Sequence, residues 1–353
     1  DGAALEIDDD FRLELGDLIF GQSGADTLHG DTATAAASAG LDGIDLIFGG
    51  PGPDRIYGGA GGALALPEQD FCLQFGNLLF GGPDDDLLRG DYADWDPDNP
   101  RGGIDLIFGA AGDDVLEGSG GSLIVIGDLT SGQAIIIPFG NLLFGGPGDD
   151  VIRGADGADL CSGVSDDLDD LLEDLGLTDL GGAADLIFAG VGHDTVDAYD
   201  GIDFVFGSDG DDVLRADHGG IVIVPISGVP TPLALGNLMF GGDGEDAITS
   251  LGRTLLPTVP PFEIDLLFGG PCDDTISAGD GFNLVFGNRA DDVITAGDGI
   301  NLLFGNRGRD SLTAGDGLNV LFGNHDDDQL VAGSGVNVLF GNRGDDTLTA
   351  GAG

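Results

Sequence analysis

The sequence repeats with a period of 18 residues. In its C-terminal part, an Asp or Asn followed by two apolar residues and a Phe recurs, and the Phe falls at Phe268, Phe286, Phe304, Phe322 and Phe340. Each period contains two half-turns, such as residues 315–322 and 323–330, each with a Gly/Asp/Asn-rich bend and a short apolar strand. A sustained period this short is typical of a solenoid, in which neighbouring turns bury one another's apolar residues.

The same strand pattern occurs thirteen times along the chain. Its Phe residues are Phe20, Phe48, Phe80, Phe108, Phe144, Phe188, Phe206, Phe240, Phe268, Phe286, Phe304, Phe322 and Phe340. The repeat therefore predicts an all-β parallel solenoid of about 13 turns with 18-residue turns. At about 4.8 Å per turn, such a rod is roughly 60 Å long.

Insertions divide the solenoid into two parts of one continuous structural unit. Residues 265–353 are predicted to form an uninterrupted solenoid, whereas residues 1–264 carry β-hairpins and loops. Alternating apolar residues around a turn predict hairpins at 63–66 with 71–75, 123–126 with 135–137, 221–224 with 233–235, and 5–7 with 12–15. The other insertions are predicted as loops at 31–44, 91–104 and 249–263, and as a short helix near 166–175.

The charge of the chain is strongly negative. It has 64 Asp and Glu residues against 11 Arg and Lys, all of them Arg, and a net charge of −53. A folded chain with this charge needs counter-ions, and carboxylate oxygens favour calcium. Nucleic acid and anionic membranes would be repelled. No apolar run is long enough to span a membrane. Because cytosolic calcium is too low to fill weak sites, we expect an extracellular location.

A nonapeptide motif gives the calcium prediction a specific form. Residues 145–153 read Gly-Gly-x-Gly-x-Asp-x-apolar-x, with near-copies at 49–57, 109–117, 241–249 and 269–277. This motif resembles the repeat of RTX calcium-binding proteins. The resemblance implies a right-handed parallel β-roll with several calcium ions between successive bends. The implied ligands are the sixth-position residues Asp26, Asp54, Asp86, Asp114, Asp150, Asp194, Asp212, Asp246, Asp274, Asp292, Asp310, Asp328 and Asp346.

The other half-turn departs from the RTX pattern. Its sixth position is often Asn, at Asn77, Asn141, Asn237, Asn283, Asn301, Asn319 and Asn337. Asn retains an oxygen ligand but lacks the charge. One interpretation is a second, weaker calcium row limited to residues 265–353 and assisted by Asp280, Asp298 and Asp316. The other is a ladder of hydrogen-bonded Asn side chains that contains no metal.

The Phe residues are predicted to face outwards. In each Asp/Asn-apolar-apolar-Phe strand, the middle apolar residue should point into the solenoid and its neighbours away from it. A long apolar stripe on the outside of a rod indicates that something covers it. We expect the cover to be the hairpins or a second copy of the chain.

Nothing in the sequence indicates catalysis. The histidines (His29, His193, His218 and His325) are isolated, and Cys72, Cys161 and Cys272 lack the spacing of a metal site. Acidic pairs recur with the turns, so calcium binding explains them better than acid–base chemistry. We therefore expect a structural protein and not an enzyme.

The two ends of the sequence suggest self-assembly. Residues 351–353, followed by residues 1–7 of another copy, read like the hairpin segment 59–66. This predicts head-to-tail stacking into filaments, possible lateral contacts between copies and a place at the cell surface or in an extracellular matrix. The alternative is a calcium-binding repeat or spacer region of a larger secreted adhesin, toxin or enzyme.

Overall fold

The computed structural model describes residues 3–8, 11–30, 43–59, 61–66, 71–90, 103–118, 120–126, 135–155, 158–159, 182–226, 229–252 and 264–352. The helix expected near 166–175 and Cys161 lie outside these residues, as do most of the three predicted loops. The loop limits differ slightly from the prediction, because Ile44 and Ile104 begin strands and residues 249–250 end one. All helical or strand structure within the described part of the chain is β-strand.

Two parallel sheets form the solenoid. The first sheet contains one strand from every turn. These strands are β2 (Phe11–Phe20), β4 (Ile44–Phe48), β7 (Phe71–Pro83), β9 (Ile104–Ala111), β12 (Ile135–Pro147), β15 (Ala184–Val191), β17 (Phe204–Asp209), β21 (Leu238–Asp243), β23 (Ile264–Gly270), β25 (Gly281–Arg289), β27 (Gly299–Arg307), β29 (Gly317–His325) and β31 (Gly335–Arg343).

The second sheet contains the shorter strand of each turn, thirteen in all among the described residues. These strands are β3 (Thr27–His29), β5 (Arg55–Tyr57), β8 (Leu87–Arg89), β10 (Val115–Glu117), β13 (Val151–Arg153), β16 (Thr195–Asp197), β18 (Val213–Ala216), β22 (Ala247–Ser250), β24 (Thr275–Ala278), β26 (Val293–Ala296), β28 (Ser311–Ala314), β30 (Gln329–Ala332) and β32 (Thr347–Ala350).

Equivalent residues of successive turns lie side by side. Leu143 pairs with Ile107 in the first sheet, and Val151 pairs with Thr195 in the second. The middle apolar residue of each strand points between the sheets, and Ile47 and Ile56 are completely buried there. The core is thus a double column of aliphatic side chains, which confirms the predicted parallel β-roll.

The four predicted hairpins are present and belong to the first sheet. Strands β1 (Ala3–Asp8), β6 (Gly62–Leu66), β11 (Gly121–Ile126) and β19 (Gly220–Ile226) pair antiparallel with β2, β7, β12 and β20 (Val229–Leu235), respectively. Some hairpins also pair with each other, as Ile136 does with Ile223. The two-residue strand β14 (Ala158–Asp159) pairs with β11. The described hairpin strands therefore widen this sheet.

The outward-facing Phe rings form one continuous stack. Thirteen rings follow one another at centroid distances of 4.7–5.1 Å, with planes within 2–11° of parallel. Ring stacking is favourable beyond the apolar area it buries. An inner ring such as Phe188 is half-buried, whereas the end rings Phe20 and Phe340 are 57% and 43% exposed. The rings therefore shield one another.

Candidate metal centre

The bends between the first and second sheets are built around glycine. In the bend at residues 145–150, Gly146 and Gly148 have φ values of 121° and 146°, which side chains rarely tolerate. A β-carbon at Gly145 would clash with Oδ2 of Asp150 and with the carbonyl oxygen of Ala189 in the next turn. The first glycine of the motif thus leaves a space towards which a carboxylate and a carbonyl point.

The thirteen sixth-position Asp residues form a single column. The backbone N–H of each one donates to Oδ1 of the next, at 2.7–3.0 Å, without a break from Asp26 to Asp346. The bond between Asp150 and Asp194 crosses an interval of 44 residues, and that between Asp194 and Asp212 crosses 18. Insertions therefore leave the column intact.

The second oxygen of these carboxylates is buried and has no hydrogen-bond donor. This holds for Oδ2 of twelve of the thirteen residues, from Asp26 to Asp328. Asp54 is 2% exposed, and Asp292 is completely buried. An unsatisfied buried carboxylate oxygen is costly. The fold therefore leaves one strong acceptor in each turn that requires a cation or a proton.

Backbone carbonyls lie beside these free oxygens. A β-carbon at Gly49 would touch both Oδ2 of Asp54 and the carbonyl oxygen of Gly81, and Gly241 has the same relation to Asp246 and Gly269. Carboxylate and carbonyl oxygens are the ligands that calcium prefers. In the described residues, no three Asp, Glu, His or Cys side chains converge on one point. Backbone carbonyls would therefore complete each calcium site.

Burial changes the proton affinity of the column. It raises the pKa of Asp292 to about 8, an effect that the N–H of Asp274 opposes and the nearby carboxylates of Asp310 and Asp274 increase. Burial likewise raises the pKa of Asp114 to about 7 and that of Asp150 to about 6. Without a cation, these groups resist ionisation, so protons and calcium compete for the same oxygens.

A second buried column lies at the opposite bends, and the sequence analysis recognised only its Asn members. Its buried acidic residues are Asp45, Asp105, Asp185, Asp203 and Asp265, each at most 1% exposed. The exposed Asp17 begins the column, and its N–H donates to Oδ1 of Asp45. The N–H of each described member from Asp45 to Asn237 again donates to Oδ1 of the next. Burial and the adjacent Asp185 carboxylate raise the pKa of Asp203 well above its usual range.

In the C-terminal turns, this column is a ladder of amides. The Nδ2 groups of Asn283, Asn301 and Asn319 donate to Oδ1 of the next Asn at 2.7–2.9 Å. Each Nδ2 also donates to a glycine carbonyl in its own bend, at 2.8–2.9 Å. This is the metal-free arrangement that the sequence left open as one alternative.

Asp280, Asp298 and Asp316 lie outside that ladder. All three are exposed, and their Oδ1 atoms accept backbone N–H groups of Asp298, Asp316 and Ser334 at 2.6–2.8 Å. The neighbouring carbonyls of Gly279, Gly297 and Gly315 already accept Asn amides. Calcium binding at these three aspartates stays a prediction, and the geometry favours it less than binding at the first column.

An exposed acidic column at the fifth motif position was also missed. Oδ1 of Asp85, Asp113, Asp273, Asp291 and Asp327 each accepts an N–H from the next turn at 2.8–3.0 Å. These bonds run opposite to those of the sixth-position column. The signal was present in the Asp-Asp pairs of the motif, but sequence alone did not separate the two roles.

Comparison with known proteins agrees with this geometry. The family described as RTX calcium-binding nonapeptide repeat matches residues 16–32, 39–62, 101–122, 138–167, 180–214, 268–303, 286–321, 295–330, 304–339 and 322–353. A search of curated proteins found no match. Within the described residues, no helix is long and apolar enough to cross a membrane. RTX repeats bind several calcium ions. The buried Oδ2 atoms are the oxygens that this chain leaves without a donor, and their role as calcium ligands stays a prediction. The chain belongs to the RTX calcium-binding repeat family.

Proposed function

We propose that the chain is an extracellular structural rod, stabilised by calcium and assembled head-to-tail into filaments, with no catalytic role. The observation that carries the proposal is the column of buried, donor-free Oδ2 atoms. Calcium that binds only the folded column contributes its binding energy to folding. The folded rod is then restricted to calcium-rich surroundings, which supports an extracellular location.

Head-to-tail stacking is supported by the two end turns. Leu18 is 60% exposed at one end, whereas the equivalent Leu46 of the next turn is half-buried. At the other end Val338 is 39% exposed, whereas the equivalent Val320 of the preceding turn is half-buried. Phe20 and Phe340 end the same ring stack. A second copy placed on the last turn would continue the rings, the strands and the Asp column together. Such a contact is heterologous and need not close, so it makes a fibre.

The exposed last turn would equally accept a further turn of the same polypeptide. This supports the second candidate function, a repeat or spacer region of a larger secreted adhesin, toxin or enzyme. Membership of the RTX family is compatible with both functions.

Electron microscopy in millimolar calcium, and again after chelation, tests the proposal. We expect fibres in calcium with an axial repeat close to the length of one rod, and their loss on chelation. Short dispersed rods in calcium would instead identify the chain as a spacer whose ends are covered by other sequence. Fibres that persist in a calcium-free, dialysed sample would contradict the role of calcium.

A further inference from the structure

The C-terminal turns carry a column of three arginines and one histidine on one edge. Strands β25, β27, β29 and β31 each end in an Asn followed by an Arg or His. We call these residues the arginine edge: Asn288, Arg289, Asn306, Arg307, Asn324, His325, Asn342 and Arg343. They line a groove of about 590 Å³. The column contains three of the 11 arginines of a chain whose net charge is −53.

The bend itself does not require these residues. Earlier turns have other residues at the same two positions, as at Gly146-Pro147, Gly190-Val191 and Gly242-Asp243. The Asn residues have φ values of 76–89°, a region in which glycine is unstrained and Asn is tolerated. Among the described residues, Arg289, Arg307 and Arg343 make no ion pair or side-chain hydrogen bond. These three arginines therefore introduce charge that contacts within a single rod do not use.

A complementary column lies on the opposite edge of the same sheet. We call Asp280, Asp298 and Asp316 the aspartate edge; they stand immediately before strands β25, β27 and β29. Because each of these strands runs from its Asp to its Arg or His, the two columns occupy opposite edges. Both columns present one side chain per turn, so both have the same spacing of about 4.8 Å.

Other charges near the arginine edge are mixed. Asp291, Asp327 and Asp345 follow in the same bends, two residues after the Arg or His of the column, and Arg309 replaces the acid in one of them. The exposed Asp326 directly follows His325. The aspartate edge has no neighbouring cation in its bends, where Gly flanks Asp280, Asp298 and Asp316 on both sides. The complementarity is thus between one basic column and one uniformly acidic column.

We propose that the arginine edge of one rod binds the aspartate edge of a second copy, with the two rods side by side and their turns in register. With the turns of the two rods in register and equally spaced, Arg289 faces Asp280, Arg307 faces Asp298 and His325 faces Asp316. The contact is heterologous and leaves a free edge on each rod, so it extends into a sheet of rods. Exposed ion pairs are individually weak, so the association depends on several turns and on low ionic strength. It requires folded, calcium-loaded turns but not end-to-end stacking.

Two triple variants test the contact in the full chain with millimolar calcium at low salt. One is Arg289→Gln with Arg307→Gln and Arg343→Gln; the other is Asp280→Asn with Asp298→Asn and Asp316→Asn, which keeps the oxygens that accept backbone N–H groups. Scattering and electron microscopy should show that each variant loses side-by-side association, whereas any end-to-end fibres keep their length. The matched control, Asp273→Asn with Asp291→Asn and Asp327→Asn, removes three exposed acids that also accept backbone N–H groups. It should retain side-by-side association.

A charge exchange makes the test specific. Replacing the three arginines by Asp in one sample and Asp280, Asp298 and Asp316 by Arg in another should abolish association in each sample, and mixing the two should restore it. The proposal fails if the wild-type chain shows no side-by-side association. It also fails if the Asn triple variant associates normally. In one such outcome, the Asn variant associates normally and the Gln variant alone loses binding to a soluble acidic polysaccharide. Such a result would make the groove a polysaccharide site.

Discussion

The backbone N–H of Asp114 donates to Oδ1 of Asp150 at 2.8 Å, although 36 residues separate the two in sequence. Oδ2 of both residues is buried and lacks a donor. One oxygen of each carboxylate thus fixes the register of adjacent turns, and the other is available to a cation. The same side chain therefore contributes to the fold and to the predicted calcium site.

Asp150→Asn separates these two roles. Asn keeps the Oδ1 acceptor but replaces the free Oδ2 by an uncharged amide. In calcium, we expect the free energy of unfolding to fall by about 1–3 kcal/mol because a charged ligand is lost. Without calcium, the same substitution should stabilise the chain, because it removes a buried carboxylate that lacks a counter-charge. Denaturant titrations with and without calcium measure both effects.

Asp149→Asn is the matched control for that variant. Asp149 is exposed, and its Oδ1 accepts the N–H of His193 at 2.9 Å, which Asn can also do. We expect little change in either condition. Equal effects of the two substitutions would contradict the assignment of calcium to the sixth position.

The stability of the metal-free chain should increase as the pH falls. Burial raises the pKa of Asp292 to about 8 and the pKa values of Asp274 and Asp310 to about 7, whereas an unfolded Asp has a pKa of about 3.9. Folding then favours the protonated groups, so their stabilising effect is greatest below about pH 4 and is lost as the pH rises through 7–8.

Circular dichroism of the dialysed, calcium-free chain between about pH 4 and pH 8 measures this trend. Strand signal should be stronger at the acidic end. With calcium the trend should reverse, because protons displace the ion as the pH falls through the same range. A calcium-free chain that is more stable at pH 8 than at pH 5 would show that the column is not a set of uncompensated carboxylates.

Sequence reasoning identified the first column because Asp at position six marks every bend and Gly at position one marks all of them except the bend at Ala189. It missed the acids of the second column for a physical reason. Insertions replace the bend residues before Asp105 and Asp185, so no nonapeptide surrounds them. They could have been found from the strand pattern itself, in which Asp and Asn hold the same place before two apolar residues and Phe.

The hairpins show a similar limit. Alternating apolar residues correctly predicted their strands. The pairing of Ile136 with Ile223 depends on the distance between two hairpins that are inserted in different turns. The local sequence pattern of each hairpin gives no information about that distance. For that reason the sequence did not reveal that the hairpins widen the first sheet.

The Phe stack should contribute most in the middle of the rod. The Phe188 ring stacks on Phe144 at 5.1 Å and on Phe206 at 4.9 Å, whereas Phe340 stacks only on Phe322, at 4.8 Å. Because Phe188 is half-buried, Phe188→Ala should destabilise the calcium-loaded chain by about 2 kcal/mol, less than the 3–5 kcal/mol typical of a fully buried Phe. Phe340→Ala should cost less than Phe188→Ala. Thermal unfolding compares the two variants, and equal losses would mean that stacking between turns is not the source of the effect.

Asn319→Asp tests whether the amide ladder contains a metal. Nδ2 of Asn319 donates to Gly315 and to Asn337, and its Oδ1 accepts from Asn301. A carboxylate would lose both donated bonds and place two acceptors together, so we expect a loss of about 1–3 kcal/mol at any calcium concentration. Asn324→Asp is the control, because Nδ2 of Asn324 makes only a 3.5 Å contact with Oδ1 of Asn306, and a carboxylate can still accept the 3.2 Å bond that Nδ2 of Asn342 donates to its Oδ1. If calcium instead rescues Asn319→Asp and raises the number of bound ions above that of the wild-type chain, the bends at Asp298 and Asp316 can hold a second calcium row.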